Sequence, residues 1–315
     1  MRTRAPRVMI AGTNSGSGKT TITCGILKLL LQHRRKPVAF KCGPDYIDPM
    51  FHRSVLEMDE SNLDLFLFER ELAKYLIVRN MKDGNIGVIE GVMGFYDGVG
   101  EDGLQCSTYE VAKSVNSPVI IIVPSYGLST SALAIVKGFL SYQPDSNIKG
   151  VIFNQMHRSV YENIKQIWDN YECEGEKPQL LGYVESIPEE LQFESRHLGL
   201  ITAMEIQELK DKLDKLANIL DKTIDIEKII SIAESAEELE VLEDDYWVVQ
   251  SNHEHEQNKR VRIAIAKDQA KKLNGTIEDS IVANDRLYAG YPHIHFYSNL
   301  QAARNYIDTC RKYKK

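Results

Sequence analysis

One stretch near the start of the chain, residues 8–21, constrains the fold more than any other. It opens with an apolar run at 8–11 that predicts a buried strand, continues with the glycine-rich loop 12–18, and then shows apolar residues at helical spacing through residue 31. A strand, a glycine loop and a helix in this order are typical of a phosphate-binding loop, in which backbone N–H groups contact phosphate oxygens. The stretch therefore predicts a phosphate-binding site directly after the first strand.

The residues of this loop have separate predicted roles. Glycines let the backbone N–H groups approach phosphate without a Cβ in the way. Lys19 is expected to contact the β- and γ-phosphates, and the Thr20 hydroxyl is expected to bind Mg²⁺. The predicted nucleotide-binding residues of the loop are Gly12, Thr13, Gly16, Ser17, Gly18, Lys19, Thr20 and Thr21.

The spacing of the loop departs from the standard phosphate-binding motif. Five residues separate Gly12 from Gly18, whereas the standard motif has four between its first glycine and the Gly-Lys pair. Thr13 stands where that first glycine would be. A glycine-rich turn with a chance Lys-Thr pair is the alternative interpretation, and the strand before it and the amphipathic helix after it favour the phosphate site.

Composition excludes several classes of protein. Of 315 residues, 43% are hydrophobic and 26% are charged, which is sufficient for a packed core and argues against global disorder. The net charge of −7 argues against nucleic acid as the main partner. No apolar run is long enough for a membrane span or a signal peptide, so no membrane association is expected. Five scattered cysteines without C-x-x-C spacing predict reduced thiols in a cytoplasmic protein.

Strand and helix patterns alternate along the first 236 residues. Short apolar runs predict strands at 37–40, 86–90, 118–123, 148–154 and 180–184, and helical spacing occurs at 71–80, 107–115, 129–140, 161–171, 205–220 and 226–236. This alternation predicts an α/β fold with a doubly wound, mostly parallel sheet. The expected organisation is one domain over 1–236, a polar linker over 237–260 and a short second α/β piece over 261–315.

Charged residues follow two of the predicted strands. The loop 41–49 comes after the second strand and carries Lys41, Asp45 and Asp48, and Glu90 ends the third strand. In an open α/β sheet, ligands bind at the carboxyl ends of the strands. A carboxylate at that edge suits an Mg²⁺ contact, because burying it without a cation would be costly. A solvated turn at 41–49 and a water-facing Glu90 remain the alternatives.

Taken together, these motifs resemble the cobyrinate a,c-diamide synthase family, whose N-terminal domain looks like dethiobiotin synthetase. The resemblance covers residues 8 to about 235 and is carried by residues 12–20, 41–48, 62–64, 89–98, 150–154 and 196–202. The longer loop between Gly12 and Gly18 is itself a feature of the dethiobiotin synthetase type. Partitioning-type ATPases are the nearest competitor, but they carry a signature lysine where this chain has Asn14.

The resemblance implies an ATP- and Mg²⁺-dependent carbon–nitrogen ligase that converts the a and c carboxylates of cobyrinate, a tetrapyrrole, into amides through acyl phosphates. It implies catalytic roles for Lys41, Asp45, Asp48, Glu90 and Asp97 and a metal site at Thr20, Asp48 and Glu90. It also places Tyr46 and Ile47 near the substrate and Asn154 at the adenine. Ile47 stands where the family often has leucine, which we expect to affect the order of amidation.

The family normally adds a class I glutamine amidotransferase domain, and the resemblance is incomplete there. Residues 262–268 resemble the first strand of that domain, and 291–299 resemble its closing segment, with His293 at the position of the catalytic histidine. Between them there is no glycine-rich stretch with a nucleophilic cysteine, and Cys310 is the one cysteine after residue 261. We therefore expect a truncated remnant without glutaminase activity, because glutamine hydrolysis needs a cysteine thiolate beside the histidine.

Four alternatives stay open at this point. Ammonia could come from solution or from a separate glutaminase, the substrate could be nickel-sirohydrochlorin, or the chain could bind ATP without catalysis. A homodimer is compatible with the sequence.

Overall fold

The computed structural model describes residues 2–43, 55–58, 60–172, 175–193, 203–241, 281–283 and 288–290. The elements follow one another as β1 (Arg2–Thr3), β2 (Arg7–Gly12), α1 (Lys19–Gln32), β3 (Lys36–Cys42), β4 (Glu60–Leu63), α2 (Arg70–Asn80), β5 (Asn85–Glu90), α3 (Thr108–Ser114), β6 (Val119–Pro124), α4 (Ser131–Tyr142), β7 (Ile148–Asn154), α5 (Arg158–Asp169), β8 (Gln179–Val184), a 3₁₀ turn (Glu189–Leu191), α6 (Ala203–Leu220), α7 (Ile226–Glu234), β9 (Leu239–Glu240), β10 (Ile281–Ala283) and β11 (Tyr288–Gly290).

Seven of the strands form one sheet in the order β4-β3-β5-β2-β6-β7-β8, and every neighbouring pair in it is parallel. Its strands are short and rich in valine and isoleucine, as expected for strands covered on both faces. The predicted α/β fold with a mostly parallel sheet is confirmed. The strand β2 lies at the centre of the sheet, between β5 and β6, so the loop after it is surrounded by other strand ends.

Helices cover both faces of the sheet, which makes it doubly wound. On one face, α1, α6 and α7 pack over apolar residues of β2, β5 and β6 in a continuous core. On the other face, α2, α3, α4 and α5 bury a second core that includes Trp168. Gly25 of α1 permits close helix packing, because a Cβ at this position would lie 2.2 Å from Cδ1 of Leu220 in α6. The helices predicted at 205–220 and 226–236, which are α6 and α7, therefore contribute to this core.

The edge strand β4 was not among the predicted strands, because Glu60–Leu63 has neither an apolar run nor a clear alternation. Its pairing with β3 places Asn62 opposite Lys41. The segments 262–268 and 291–299, which resemble parts of the amidotransferase domain, lie outside the described residues. The described part of the first unit extends through Val241, and the predicted domain boundaries stay predictions.

A buried arginine closes the amino end of the sheet. Arg7 has no exposed surface and donates to the carbonyls of Ala5 at 2.7 Å, Val115 at 2.8 Å, Glu237 at 2.9 Å and Asn116 at 3.0 Å. Burial lowers the pKa of this guanidinium to about 10, and the Glu237 carboxylate opposes that shift. The bonds to Val115, Asn116 and Glu237 connect β2 to segments more than a hundred residues away in sequence.

Two short strands complete this amino edge. Arg2–Thr3 pairs antiparallel with Leu239–Glu240, so the beginning and the end of the unit lie side by side. Within the described ranges, no helix is both long enough and apolar enough to cross a membrane.

Candidate functional site

The carboxyl ends of β2, β3 and β5 meet at the opposite edge of the sheet. The parallel register places Lys41 of β3 beside Glu90 of β5, and Glu90 beside Ile10 of β2. The residue that ends β2 is Gly12, where the phosphate-binding loop begins. Because β5 lies next to both β2 and β3, Glu90 faces the loop and Lys41 together. The sheet order thus brings three separate sequence motifs to one place.

The glycine loop folds tightly over the start of α1. Gly18 adopts a left-handed conformation with φ 88°, and a Cβ there would lie 2.4 Å from Nδ2 of Asn154. A Cβ at Gly12 would lie 2.0 Å from the Oγ of Ser17. No side chain caps the start of α1, so its first-turn N–H groups are available for an anion. These are the features that a phosphate-binding loop requires.

The loop lysine lies folded across this loop. Its Nζ donates to the carbonyls of Met93 at 2.5 Å and Asn14 at 3.1 Å, and the side chain is mostly buried. Burial lowers the pKa of Lys19, the nearby Glu90 carboxylate opposes this shift, and Lys41 adds to it. Lys19 also donates to Oγ of Ser17 at 3.4 Å, so it is a partly desolvated cation whose present acceptors are neutral carbonyls and a hydroxyl. A phosphate would be a stronger partner.

Glu90 is the centre of the charged cluster. Its Oε1 accepts from Nζ of Lys41 at 2.6 Å and from Oγ1 of Thr20 at 2.6 Å. The side chains of Glu90 and Lys41 are only 2% and 7% exposed, so this ion pair is screened little by solvent. Glu90 therefore does not face open water, which was the alternative interpretation from the sequence.

A cavity of about 470 Å³ opens above this cluster. The phosphate-binding loop forms one wall, the ion pair forms the floor, and residues after β5 form a second wall. Its lining residues are Ser15, Gly16, Gly18, Lys19, Thr20, Thr21, Lys41, Glu90, Gly91, Val92, Met93, Gln192 and Phe193. The volume and the two buried lysines suit a small polyanion.

The donor set also suits Mg²⁺. Thr20 and Glu90 present a hydroxyl and a carboxylate 2.6 Å apart at the floor of the cavity, and hard cations prefer oxygen ligands. Among the described residues, no group of three or more His, Cys, Asp or Glu side chains forms a metal site of its own. This is the usual situation for Mg²⁺ at nucleotide sites, where one or two side chains act together with substrate phosphates.

Asp97 lies in the loop after β5. It is exposed, and its Oδ2 accepts from the backbone N–H of Gly94 at 2.9 Å. The Asp97 charge is close enough to Lys19 to oppose the lowering of the pKa of that lysine. Asp97 is thus next to the loop lysine but outside the buried cluster.

Asn154 ends β7 and contacts the phosphate-binding loop. Its Nδ2 donates to the carbonyl of Ser17 at 3.0 Å, and its Oδ1 accepts from the N–H of Gln155 at 2.9 Å. In this arrangement the amide is engaged with the protein and supports the conformation of the loop. The adenine contact predicted for Asn154 stays a prediction.

The sequence did not indicate a further contact on the other side of α1. The Thr21 hydroxyl accepts from the N–H of Phe193 at 3.0 Å and lies 3.3 Å from its carbonyl oxygen. Lys212 of α6 donates to the carbonyl of Gln192 at 2.6 Å, and its ammonium lies 4.5 Å from the centre of the Phe193 ring. The polarity of Thr21 inside an apolar helix face was the available signal. Thr21 therefore positions a wall of the cavity.

Several predicted site residues lie outside the described residues. These are Asp45, Tyr46, Ile47 and Asp48 in the loop after β3, together with His293. Their predicted roles stay predictions.

Comparison with known proteins was made against family models, curated proteins and solved structures. Residues 8–281 match the family model described as the CobQ/CobB/MinD/ParA nucleotide binding domain. The chain belongs to this nucleotide-binding family. That description names CobQ and CobB first and MinD and ParA second, so the curated relatives have to separate these two groups.

The curated relatives favour the first group. A protein of Priestia megaterium named cobyrinate a,c-diamide synthase is 38% identical over 227 residues, which is 72% of this chain and 48% of that protein. One of the same name from Thermoplasma acidophilum is 34% identical over 330 residues, covering 98% of this chain and 71% of that protein. The resemblance to this family is confirmed. The chain spans about half the length of the Priestia relative.

One solved structure that aligns with this chain is distant from it in sequence. The MinD cell division protein of Aquifex aeolicus aligns with 73% of this chain and 95% of its own, at 16% identity and a TM-score of 0.40. The family assignment rests on the sequence matches.

Proposed function

We propose that this chain uses ATP to activate carboxylates of a cobyrinate-type tetrapyrrole and transfers ammonia to them. The observation that carries the proposal is the buried Thr20–Glu90–Lys41 cluster on the floor of a phosphate-binding cavity. The names of the curated relatives supply the substrate class and the bond that is formed.

The chemistry explains why such a cluster is needed. A carboxylate does not react with ammonia until one of its oxygens becomes a good leaving group, and transfer of the γ-phosphoryl group of ATP provides one. That transfer brings two anions together, so the site has to offer positive charge in fixed positions. Lys19 and Lys41 are both buried at the cavity and can contact the phosphates or the attacking carboxylate.

Thr20 and Glu90 are the described residues that would hold Mg²⁺, and the predicted third ligand is Asp48. When bound, the ion would neutralise phosphate charge. The Lys41–Glu90 pair has its own role in this arrangement. Glu90 orients Lys41, and Lys41 offsets the charge of a buried carboxylate.

In the second half of the proposed reaction, ammonia attacks the carbonyl carbon of the acyl phosphate. A C–N bond forms, the C–O bond to phosphate breaks, and inorganic phosphate leaves. Residues 261–315 contain one cysteine, Cys310, and none within a glycine-rich stretch. We propose that residues 1–315 by themselves accept ammonia from solution or from a separate glutaminase.

The test is an amidation assay with the purified chain. ATP, Mg²⁺ and cobyrinate are supplied with either ammonium or glutamine, and ADP release and product mass are measured. We expect ADP release and two successive mass changes, each for replacement of OH by NH₂, with ammonium only. Equal activity with glutamine would overturn the proposed ammonia source, whereas absence of ADP release and product under both conditions would overturn the amidation. Turnover of nickel-sirohydrochlorin in preference to cobyrinate would replace cobyrinate as the proposed substrate.

A further inference from the structure

A single peptide group joins the loop lysine to Asp97. The carbonyl of Met93 accepts from Nζ of Lys19 at 2.5 Å, and the N–H of the same peptide, that of Gly94, donates to Oδ2 of Asp97 at 2.9 Å. The two bonds leave opposite sides of one planar unit. Any rotation of this peptide therefore changes both contacts together.

The peptide lies between two fixed points. The N–H of Gly91 donates to the carbonyl of Ile10 at 2.9 Å, and the N–H of Phe95 donates to the carbonyl of Gly12 at 2.8 Å. Both acceptors belong to β2, so the loop is attached to the central strand on each side of the Met93–Gly94 peptide. The segment that can respond to a ligand is therefore limited to the few residues between Gly91 and Phe95.

The backbone at this point is held in an unfavourable conformation. Met93 has φ 53°, in the left-handed region that costs a non-glycine residue roughly 1 kcal/mol or more. Its side chain is half exposed and lines the cavity. The contact with Lys19 and the bond to Asp97 both involve the peptide that follows Met93, so they contribute to offsetting this cost and their loss would favour rearrangement.

Space around the next residue is equally restricted. A Cβ at Gly94 would lie 2.4 Å from Oδ2 of Asp97 and 3.0 Å from the carbonyl oxygen of Thr13. Glycine is therefore required for the Asp97 carboxylate to reach this N–H.

We propose that the Met93–Gly94 peptide couples nucleotide binding to the release of Asp97. When phosphate oxygens take Lys19 from the Met93 carbonyl, the Gly94 N–H becomes a weaker donor, because a cation on the carbonyl polarises the peptide. The phosphate charge also repels the Asp97 carboxylate. The Asp97 side chain then turns away from the backbone and toward the carboxylate substrate. This inference rests on the proposed function, in which Lys19 binds phosphate, and on the catalytic role that the family resemblance implies for Asp97.

The direct test is amide hydrogen exchange resolved to single residues, with and without a non-hydrolysable ATP analogue and Mg²⁺. We expect exchange at Gly94 to become at least about tenfold faster when the nucleotide is bound, in the usual range for coupled sites. The N–H of Phe95 is the internal control, because its bond to Gly12 involves neither Lys19 nor Asp97, and its exchange should change little. Nucleotide saturation is measured on the same sample by calorimetry.

The variant Asp97→Ala separates this coupling from general stiffening of the loop. It removes the acceptor, so exchange at Gly94 should be fast without nucleotide and should change less than about twofold on nucleotide binding. Saturation of the wild-type chain without faster exchange at Gly94 would overturn the coupling and leave the proposed function standing. Failure of the chain to bind nucleotide at all would overturn both.

Discussion

The two edges of the central sheet both bury charge, and they do so in different ways. At the amino edge, Arg7 is enclosed and satisfied by four backbone carbonyls. At the carboxyl edge, Lys41 and Glu90 satisfy each other beside a cavity, with Thr20 as a third member. A charge whose partners are all backbone groups holds segments together. A charge pair that borders a cavity retains partners that a ligand can replace, and it is therefore suited to chemistry.

Arg7→Met is the strongest test of the structural role assigned to the amino edge. It leaves four carbonyl acceptors without their donor, and losing the buried cation should lower the free energy of unfolding by about 3–5 kcal/mol. The melting temperature should fall by roughly 10 °C, while amidation per folded molecule stays unchanged. Arg4→Met is the control, because Arg4 is exposed. A stable but inactive Arg7→Met protein would contradict the purely structural role assigned to Arg7.

At the carboxyl edge, Glu90→Gln should lower activity, in contrast to Arg7→Met, which should lower stability. The amide keeps the shape but loses the charge that orients Lys41 and would hold Mg²⁺, so amidation should fall by about 10²–10³-fold. Glu238→Gln changes an exposed glutamate at the amino edge and should leave the rate unaltered. The rate is measured as ADP release at saturating ammonium. Full activity of Glu90→Gln would remove both the metal and the orienting roles from this residue.

Lys41→Met tests the second member of the ion pair. Loss of a preorganised cation should reduce amidation by about 10²-fold. Lys36→Met is a matched control on the same strand, since Lys36 is the exposed first residue of β3. If both variants lose activity equally, the effect comes from β3 as a whole and not from the cavity.

The smallest effect concerns pH. Burial lowers the pKa of Lys19 from 10.5, so its ammonium is present below the lowered pKa and is lost as pH rises through it. Affinity for an ATP analogue should therefore begin to weaken below pH 10.5 and fall by roughly tenfold, the value of one charged hydrogen bond. Lys19→Arg should show a flatter profile, because the guanidinium stays protonated. Calorimetric titrations between pH 7 and 10.5 measure both profiles, and equal slopes would exclude Lys19 as the titrating group.

Local patterns predicted most of the sheet and the cavity. The order strand, glycine loop, helix and the apolar runs reflect local rules, and the parallel sheet follows from their alternation. The prediction that Glu90 lies at the carboxyl edge of the sheet was correct, because Glu90 ends a strand. The sequence could not predict that Oε1 of Glu90 bonds both Thr20 and Lys41, since these residues come from three elements whose spatial order depends on strand register.

Long-range features were missed for a related reason. Arg7 has the sequence appearance of one of several basic residues before a strand, and its acceptors lie up to 230 residues away. β4 owes its strand conformation to pairing with β3 rather than to its own residues. The contact between Thr21 and Phe193 likewise depends on how the segment after β8 returns to α1.

The antiparallel pair formed by Arg2–Thr3 and Leu239–Glu240 has a consequence for how ammonia could be supplied. Since the two ends of the unit meet at the amino edge, Val241 lies at the edge opposite the cavity, about 20 Å away, the length of a six-residue strand. An ammonia donor attached there would need a linker of at least that length, whereas a separate donor could dock directly at the carboxyl edge.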